Sequence, residues 1–312
     1  MKKNKLSPYL YILPAMIIIV AFRFIPILLS FVISFFDWKL TGVEDFVGFA
    51  NYTKLFTDAE FIQSMTNTIW FVVMVVPATV LISLLFAVLL NNIKWLRGFF
   101  RTAYFLPYVT SMVAVSIVWK IIFQQRSGLL NFFLEGIGLE PLRWLQEDQG
   151  IFSLLFNNFG ITLPDWMGGP SLALFSIMIV TVWKSVGYNT IIYLAGLQNI
   201  AKEYYEASSI DGASKPRQFF GITLPLVSPT TYYVLMMTTI VTFQAFSQIY
   251  LMTGTPAGGP NGTTSLIVYY IFEAGFIDLN FSYANAIALV LFVVILLLTL
   301  IQKRLEKHVT YE

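Results

Sequence analysis

The fold class this sequence predicts is an all-α membrane protein with six transmembrane helices, and three observations carry that prediction. Of its 312 residues, 57% are hydrophobic and 12% charged, with a mean hydropathy of +0.73; a soluble domain carries about 25% charged residues. Six apolar runs reach the roughly 20 residues that cross a bilayer as helix: Leu10–Phe36, Met65–Leu90, Ala103–Phe123, Leu172–Leu197, Leu226–Thr253 and Tyr283–Ile301. Lys and Arg alternate in number between successive connections, twelve on one side of the bilayer against four on the other, the bias that marks cytoplasmic loops. Barrel strands are excluded: the runs are too long and uniform, and only helices satisfy their own backbone in lipid.

Taken in order, Lys2, Lys3 and Lys5 precede the first run. A cleaved leader is not expected, because a signal core is about 7–15 residues long and ends at a small-x-small site, whereas this run continues to Phe36. The first outer connection, Asp37–Ile62, is acidic and aromatic. Lys94, Arg97 and Arg101 follow the second run on the cytoplasmic side. After the third run comes the longest connection, Gln124–Pro170, with Glu135, Glu140, Glu147, Asp148 and Asp165 among Trp144, Phe152, Phe156, Phe159 and Trp166. A stretch of that length is rarely structureless. It reads as partly helical, either packed on the outer surface against an external partner or as a solvated cover with interfacial aromatics. The third outer connection, Gly254–Asn280, holds Gly258, Gly259 and Pro260, which force a turn. Lys303, Arg304 and Lys307 end the chain, so both termini and the loop 199–225 are predicted to be cytoplasmic. The chain divides into 1–64 (tail, first span and first outer loop), the core 65–303 with outer loop 124–170 and cytoplasmic loop 199–225, and the tail 304–312.

Several chemistries are excluded. The chain has no cysteine and one histidine, His308, so disulfides, thiolate chemistry and His- or Cys-ligated metals have no residues to use. No Gly-x-x-x-x-Gly-Lys-Ser/Thr occurs, so ATP is not bound through a P-loop of this chain. No Asp or Glu falls within the six runs, which argues against a proton- or sodium-coupled secondary transporter, although sodium also binds backbone carbonyls.

Ionisable groups inside spans are costly and mark function by default. Lys120 is read as snorkelling from the outer end of its span, and Arg23 as snorkelling or pairing with a partner subunit. Lys184 shares a helical face with Thr181, Ser185 and Tyr188. A comparable stripe in the fifth run holds Thr238, Val241, Thr242 and Ala245, with Gln244 and Gln248 alongside. Such stripes read either as glue between helices or as the wall of a hydrophilic pathway.

The loop Asn199–Pro225 concentrates Lys202, Glu203, Glu206, Asp211, Lys215 and Arg217 between two apolar runs. Good helix formers and the Lys202–Glu206 pair predict a short helix over Ala201–Asp211, stopped at Gly212. A second turn is predicted from Ser214, with Pro216 in its first turn, ending near Gly221. Tyr204, Tyr205, Ile210, Phe219 and Phe220 are its apolar knobs, so the pair reads either as an interfacial helix on lipid or as a docking element.

Spacing separates those readings. Glu206-Ala207-Ser208, three residues, Gly212, nine residues, then Ile222-x-Leu224-Pro225 resembles the E-A-A-x3-G-x9-I-x-L-P loop of binding-protein-dependent ABC importer permeases, with Asp211 before the glycine. Ser208 departs from the usual third small residue. Ser34–Trp38, Val47–Tyr52, Asn67-Thr68, Arg101–Val109, Leu194–Ile200 and Gly258–Pro260 extend the resemblance along almost the whole chain, to the first membrane subunit of maltose, multiple-sugar and glycerol-phosphate importers. Ser247 stands where many relatives carry Asp, and the stretch from Gln146 to Pro170 is longer than usual.

The resemblance implies a type I ABC importer permease fold with a MetI-like core, and a chain that is not an enzyme. It implies a second permease subunit forming a heterodimer, two ATPase subunits that carry the ATP-Mg, an extracytoplasmic solute-binding protein, and a sugar or oligosaccharide as substrate. No cofactor is expected on this chain itself, and no nucleic-acid partner. The coupling residues implied are Glu206, Ala207, Ser208, Asp211, Gly212, Ile222, Leu224 and Pro225, with Glu206 anchoring the ATPase through a charge-assisted hydrogen bond. The substrate path implied by position is Tyr108, Met112, Thr181, Lys184, Ser185, Tyr188, Thr238, Val241, Thr242 and Ala245. Tyr108 and Tyr188 would stack on a sugar face while hydroxyls and Lys184 bond its oxygens. Glycerol phosphate is the within-class alternative; a secondary sugar transporter or a membrane receptor are the alternatives from other classes.

Overall fold

In lipid a backbone amide has no water to turn to, so each apolar run closes its own hydrogen bonds as helix. The computed structural model describes residues 7–39, 42–93, 97–157, 159–164, 167–253 and 258–306. Lys2, Lys3, Lys5, Lys94, Asp165, Trp166, Lys307 and His308 lie outside the described residues. Four helices among them are long and apolar enough to span a membrane, Tyr11–Ile33, Ala59–Asn92, Leu172–Gln198 and Phe281–Arg304, and two bent helix pairs bring the number to six. The third span therefore bends by 95° between Val109 and Met112, and the helix Lys215–Leu226 meets Ser228–Phe243 of the fifth at 63° around Val227, features that uniform hydropathy conceals. Contacts divide the chain into two compact units, Met1–Ile62 with Tyr270–Val293, and Gln63–Tyr269 with Val294–Glu312.

In the first unit, α1 (Ser7–Ile19) runs through a π-turn, Val20–Phe24, into α2 (Ile25–Ile33). Pro26 follows that wide turn, as expected where a missing N–H leaves a carbonyl to be re-paired. None of the span's most apolar window is buried, and Arg23 is exposed on the π-turn. The first outer connection opens as an antiparallel pair, β1 (Phe36–Lys39) with β2 (Gly42–Phe46), in register Phe36 with Phe46 and Lys39 with Gly42. These strands are an addition to the all-α expectation. Aromatic pairing supports them, with the Phe36 and Phe46 rings 5.3 Å apart, edge to face. After α3 (Ala50–Leu55), Asp58 caps α4 (Ala59–Asn92): its Oδ1 accepts the N–H groups of Glu60 at 2.9 Å and Phe61 at 3.2 Å. Its Oδ2 accepts the hydroxyls of Tyr270 and Tyr283. Burial pushes the Asp58 carboxyl up, but the two phenols and two backbone N–H groups outweigh it and hold it below the ordinary value.

The second unit contains most of α4, then α5 (Arg97–Val109), α6 (Met112–Ile122) and the outer connection. That connection is partly helical, as expected, with α7 (Leu129–Gly136) and α8 (Ile151–Asn157). Its fold is fixed by Asn131, whose amide donates to the carbonyls of Gln125 and Leu142 and accepts from Leu142 N and Trp144 Nε1. The central rod is α9 (Leu172–Gln198), capped by the Ser171 hydroxyl. One core packs on its first half, around Leu174, Ile177, Phe71 and Ile249, and a second on its last half, around Tyr193, Leu194, Val80 and Val234. Between them Gly187 lets α5 approach: a Cβ there would lie 1.7 Å from the Tyr104 carbonyl oxygen, the small-residue contact by which membrane helices close on each other. The chain continues through α10 (Lys202–Ile210), α11 (Lys215–Gln218), α12 (Leu224–Leu226), α13 (Ser228–Phe243) and α14 (Ser247–Thr253). Gly258 and Gly259 then turn with φ of +71° and +79°, as expected. An apolar helix that the sequence reading left within the third outer connection follows: α15 (Ile267–Phe272), prolonged by a π-turn to Ile277. The last span is α16 (Phe281–Leu305).

Candidate functional site

Two places in the second unit combine polar side chains with interrupted helix. The first is a cavity of about 360 Å³ lined by α9, α13, α14 and the break between α5 and α6. All ten residues expected on the substrate path line it: Tyr108 and Met112 from the break, Thr181, Lys184, Ser185 and Tyr188 from α9, and Thr238, Val241, Thr242 and Ala245 from α13 and its end. Asn189, Met237 and Phe246 also line it and were missed in the sequence. Asn189 was legible in principle, one helical turn beyond Ser185 on the same stripe. Beside the cavity lies a larger groove of about 860 Å³ between α4, α5 and α9, but its walls are almost wholly apolar, so it lacks the few placed polar groups of a solute site.

The break in the third span explains Lys184. Helices α5 and α6 meet at 95° around Thr110 and Ser111, three residues after Pro107. The last carbonyls of a helix have no partner within it, and in lipid they must find one. Lys184 Nζ donates to the carbonyl oxygens of Pro107 at 3.1 Å, Tyr108 at 2.9 Å and Thr110 at 2.7 Å. An ammonium has three protons, so those expected to hold a substrate oxygen are directed at the break. The cation also suits the negative end of the α5 dipole. Tyr108 and Tyr188 stack on each other, with ring centres 4.5 Å apart and planes 14° apart, so the two inner faces expected to meet a sugar are covered, and the Tyr188 hydroxyl is hydrogen-bonded to Tyr233.

The fifth span breaks as well. α13 ends at Phe243, Gln244 and Ala245 close a turn on Val241 and Thr242, and α14 resumes at Ser247. The single run expected over Leu226–Thr253 is thus two helices. Irregular backbone at membrane depth is tolerated where it lines a cavity, and both breaks face the same one.

The second place is the charged loop. α10 runs from Lys202 to Ile210, with Ala201 and Asp211 as its flanking caps. Gly212 has φ +76° and closes it: Ala213 N–H donates to Ser208 O at 2.9 Å and Gly212 N–H to Ser209 O at 3.1 Å, a Schellman stop. Ser214 precedes α11, as expected. The second turn does not end at Gly221, however. The helix continues through a π-turn, Phe219–Thr223, into α12 and ends at Leu226, because the wide turn accommodates the N–H that Pro225 lacks. Glu203, Glu206, Ala207 and Ile210 are exposed on one face of α10, with Ile210 88% exposed. Tyr205 and Ser208 face inward, half-buried. Of the remaining coupling residues, Asp211 is exposed, Ile222 and Pro225 are half-buried, and Leu224 is 37% exposed.

Comparison with known proteins places this architecture. Residues 60–311 match the family of the binding-protein-dependent transport system inner membrane component. The lactose transport system permease protein LacF of Rhizobium radiobacter is 35% identical over 300 residues, covering 94% of this chain and 92% of that protein. The sn-glycerol-3-phosphate transport system permease protein UgpA of Agrobacterium fabrum is 31% identical over 313 residues, covering 99% and 97%. Among solved structures, a chain of a bacterial alginate ABC transporter, crystallised with an alginate pentasaccharide-bound periplasmic protein, superposes with a TM-score of 0.78 at 23% identity, over 97% of this chain and 95% of that one; it shares the fold. The chain belongs to the family of binding-protein-dependent transport system inner membrane components and is a multi-pass ABC importer permease subunit of the MetI-like fold, a class that is not itself enzymatic.

Proposed function

We propose that this permease carries a sugar or oligosaccharide through the cavity between α9 and α13. A second permease completes the path, an extracytoplasmic binding protein delivers the solute, and two ATPase subunits with ATP-Mg dock on α10 at the cytoplasmic face, where both termini also lie. The observation that carries this reading is the convergence of two four-residue stripes, one on α9 and one on α13 and its end, with Tyr108 and Met112 beside the break between α5 and α6, on one cavity between two broken helices. Hydroxyls and amides set in an otherwise apolar wall suit a neutral polyol, which exchanges water hydrogen bonds for protein ones without bringing a charge. Closure of the ATPase dimer moves α10, and the continuous helix Lys215–Leu226 carries that motion to the fifth span.

A glycerol-phosphate reading has support from the relative UgpA. The cavity favours the neutral solute, because its one cation, Lys184, spends its protons on three carbonyls. Uptake into proteoliposomes holding the complete complex tests the proposal: labelled oligosaccharide enters with ATP and not with a hydrolysis-deficient ATPase. Equal uptake with both ATPases overturns it, and competition by glycerol phosphate but not by neutral sugars selects the second reading.

A further inference from the structure

Gln218 is a buried amide on the cytoplasmic loop, 4% exposed, and it belongs to none of the motif positions. Its Nε2 reaches across from α11 to α10, donating to Ser209 Oγ at 2.8 Å and Ser208 Oγ at 3.0 Å, with the Tyr205 carbonyl oxygen at 3.3 Å. Both serines are set to accept, because each hydroxyl spends its own proton on Tyr205 O, at 3.0 Å from Ser208 and 2.7 Å from Ser209. Lys215 Nζ donates to Gln218 Oε1 at 3.2 Å, which fixes which end of the amide faces the serines. A second strap lies beside it, where the Tyr205 hydroxyl and Thr223 Oγ1 are 2.9 Å apart.

The π-turn makes the two straps work together. Residues five apart on an α-helix point well away from each other, and one extra residue in the turn brings them back toward one face. The turn Phe219–Thr223 separates Gln218 from Thr223, and both engage Tyr205 or its neighbours on α10. Hydrogen bonds that share a half-buried network centred on one buried amide resist bending more than a single exposed contact does. Ser208, the departure from the third small residue of the motif, is thus an acceptor in this network.

We propose that Gln218 is a positioning residue that locks α10 to the helix Lys215–Leu226, so that a push on the exposed face of α10 turns the fifth span rather than bending the loop. This rests on the reading of α10 as the ATPase dock. Gln218→Met keeps buried volume and removes the amide; Ser209→Ala, outside the coupling residues, removes the nearer acceptor and leaves the buried side chain in place. Hydrogen exchange on the full-length chain in nanodiscs reads the lock by itself. The α10 amides are expected to exchange about tenfold faster in both variants, as loss of one or two net hydrogen bonds implies. In the assembled complex, ATPase subunits are expected to co-purify and ATP hydrolysis to persist, while solute carried per ATP falls several-fold. Adding Gln218→Met to Ser209→Ala should cost less than the sum of the two single changes.

Unchanged α10 exchange in both variants overturns the lock. Faster exchange with undiminished transport per ATP overturns its positioning role. Failure of the docking reading appears separately, as intact ATPase attachment and uptake in Ile210→Asp, and would overturn the positioning role while the exchange experiment still reports on the lock.

Discussion

Lys184 is the residue at which sequence and structure diverge most usefully. As the most interior cation of a transport path it invites a substrate-binding role, yet its three protons close the carbonyls that a 95° break leaves open. Lys184→Ala would remove the cation that closes those carbonyls, and water entering the cavity would replace its hydrogen bonds only in part, most poorly at the part-buried Pro107 carbonyl. The expected result is strongly impaired uptake with the complex still assembled, measured by transport alongside co-purification of the ATPase subunits. Asp58 makes a second residue-scale prediction. Its carboxyl sits below the ordinary value of 3.8, so its contribution to stability is full above that value and is lost as pH falls through the lowered one. Thermal unfolding of the wild type from about pH 5 to about pH 2 should therefore weaken steeply on the acid side, and Asp58→Asn should start lower and flatten that limb. A limb unchanged in slope would contradict the assignment. The cavity residues of α9 and α13 were legible because a helical stripe survives any bending of the helix that carries it, whereas Tyr108 and Met112 were legible only through the family resemblance. The target of the Lys184 protons was not, because the break that frees the carbonyls lies 74 residues away in sequence.

Among the elements, α10 is where chemistry and mechanics meet. Its exposed face carries Glu203, Glu206, Ala207 and Ile210, and its stop depends on Gly212 at φ +76°. A side chain at Gly212 has open space around it, so the penalty of Gly212→Asp is conformational, about 1–2 kcal/mol, and falls on the turn that aims α10. Glu206→Ala instead removes a charge from the exposed face of α10 that is proposed to dock the ATPase. Both variants are expected to keep the permease folded and to lower transport per ATP hydrolysed, and normal coupling in both would refute the docking role. Helix, glycine stop and serine cap were all readable, because capping chemistry is local. The run-on through Gly221 was not: that glycine is not in the left-handed region, and the π-turn that accommodates Pro225 leaves no local signature. The strands Phe36–Lys39 and Gly42–Phe46 escaped for a similar reason, being short and set against a long apolar run.

For the whole molecule, six apolar runs were enough to predict the spans, while hydropathy alone could not tell a straight span from a broken one. The consequence is structural and local: the 95° break of the third span and the interruption at Gln244–Phe246 in the fifth supply the irregular backbone around the polar cavity. The account's central claim is that this cavity is the path, opened alternately to either side by ATP. The absence of native cysteine allows a direct measurement in the assembled complex. Val241, 63% exposed in the cavity wall, is replaced in Val241→Cys and labelled with a membrane-impermeant thiol reagent applied to one side of the bilayer at a time. The account predicts labelling from the cytoplasmic side without nucleotide and from the outer side when the ATPases are trapped in their ATP-bound state, with sugar slowing the reaction. Labelling from the same side in both states, or from neither, would contradict it.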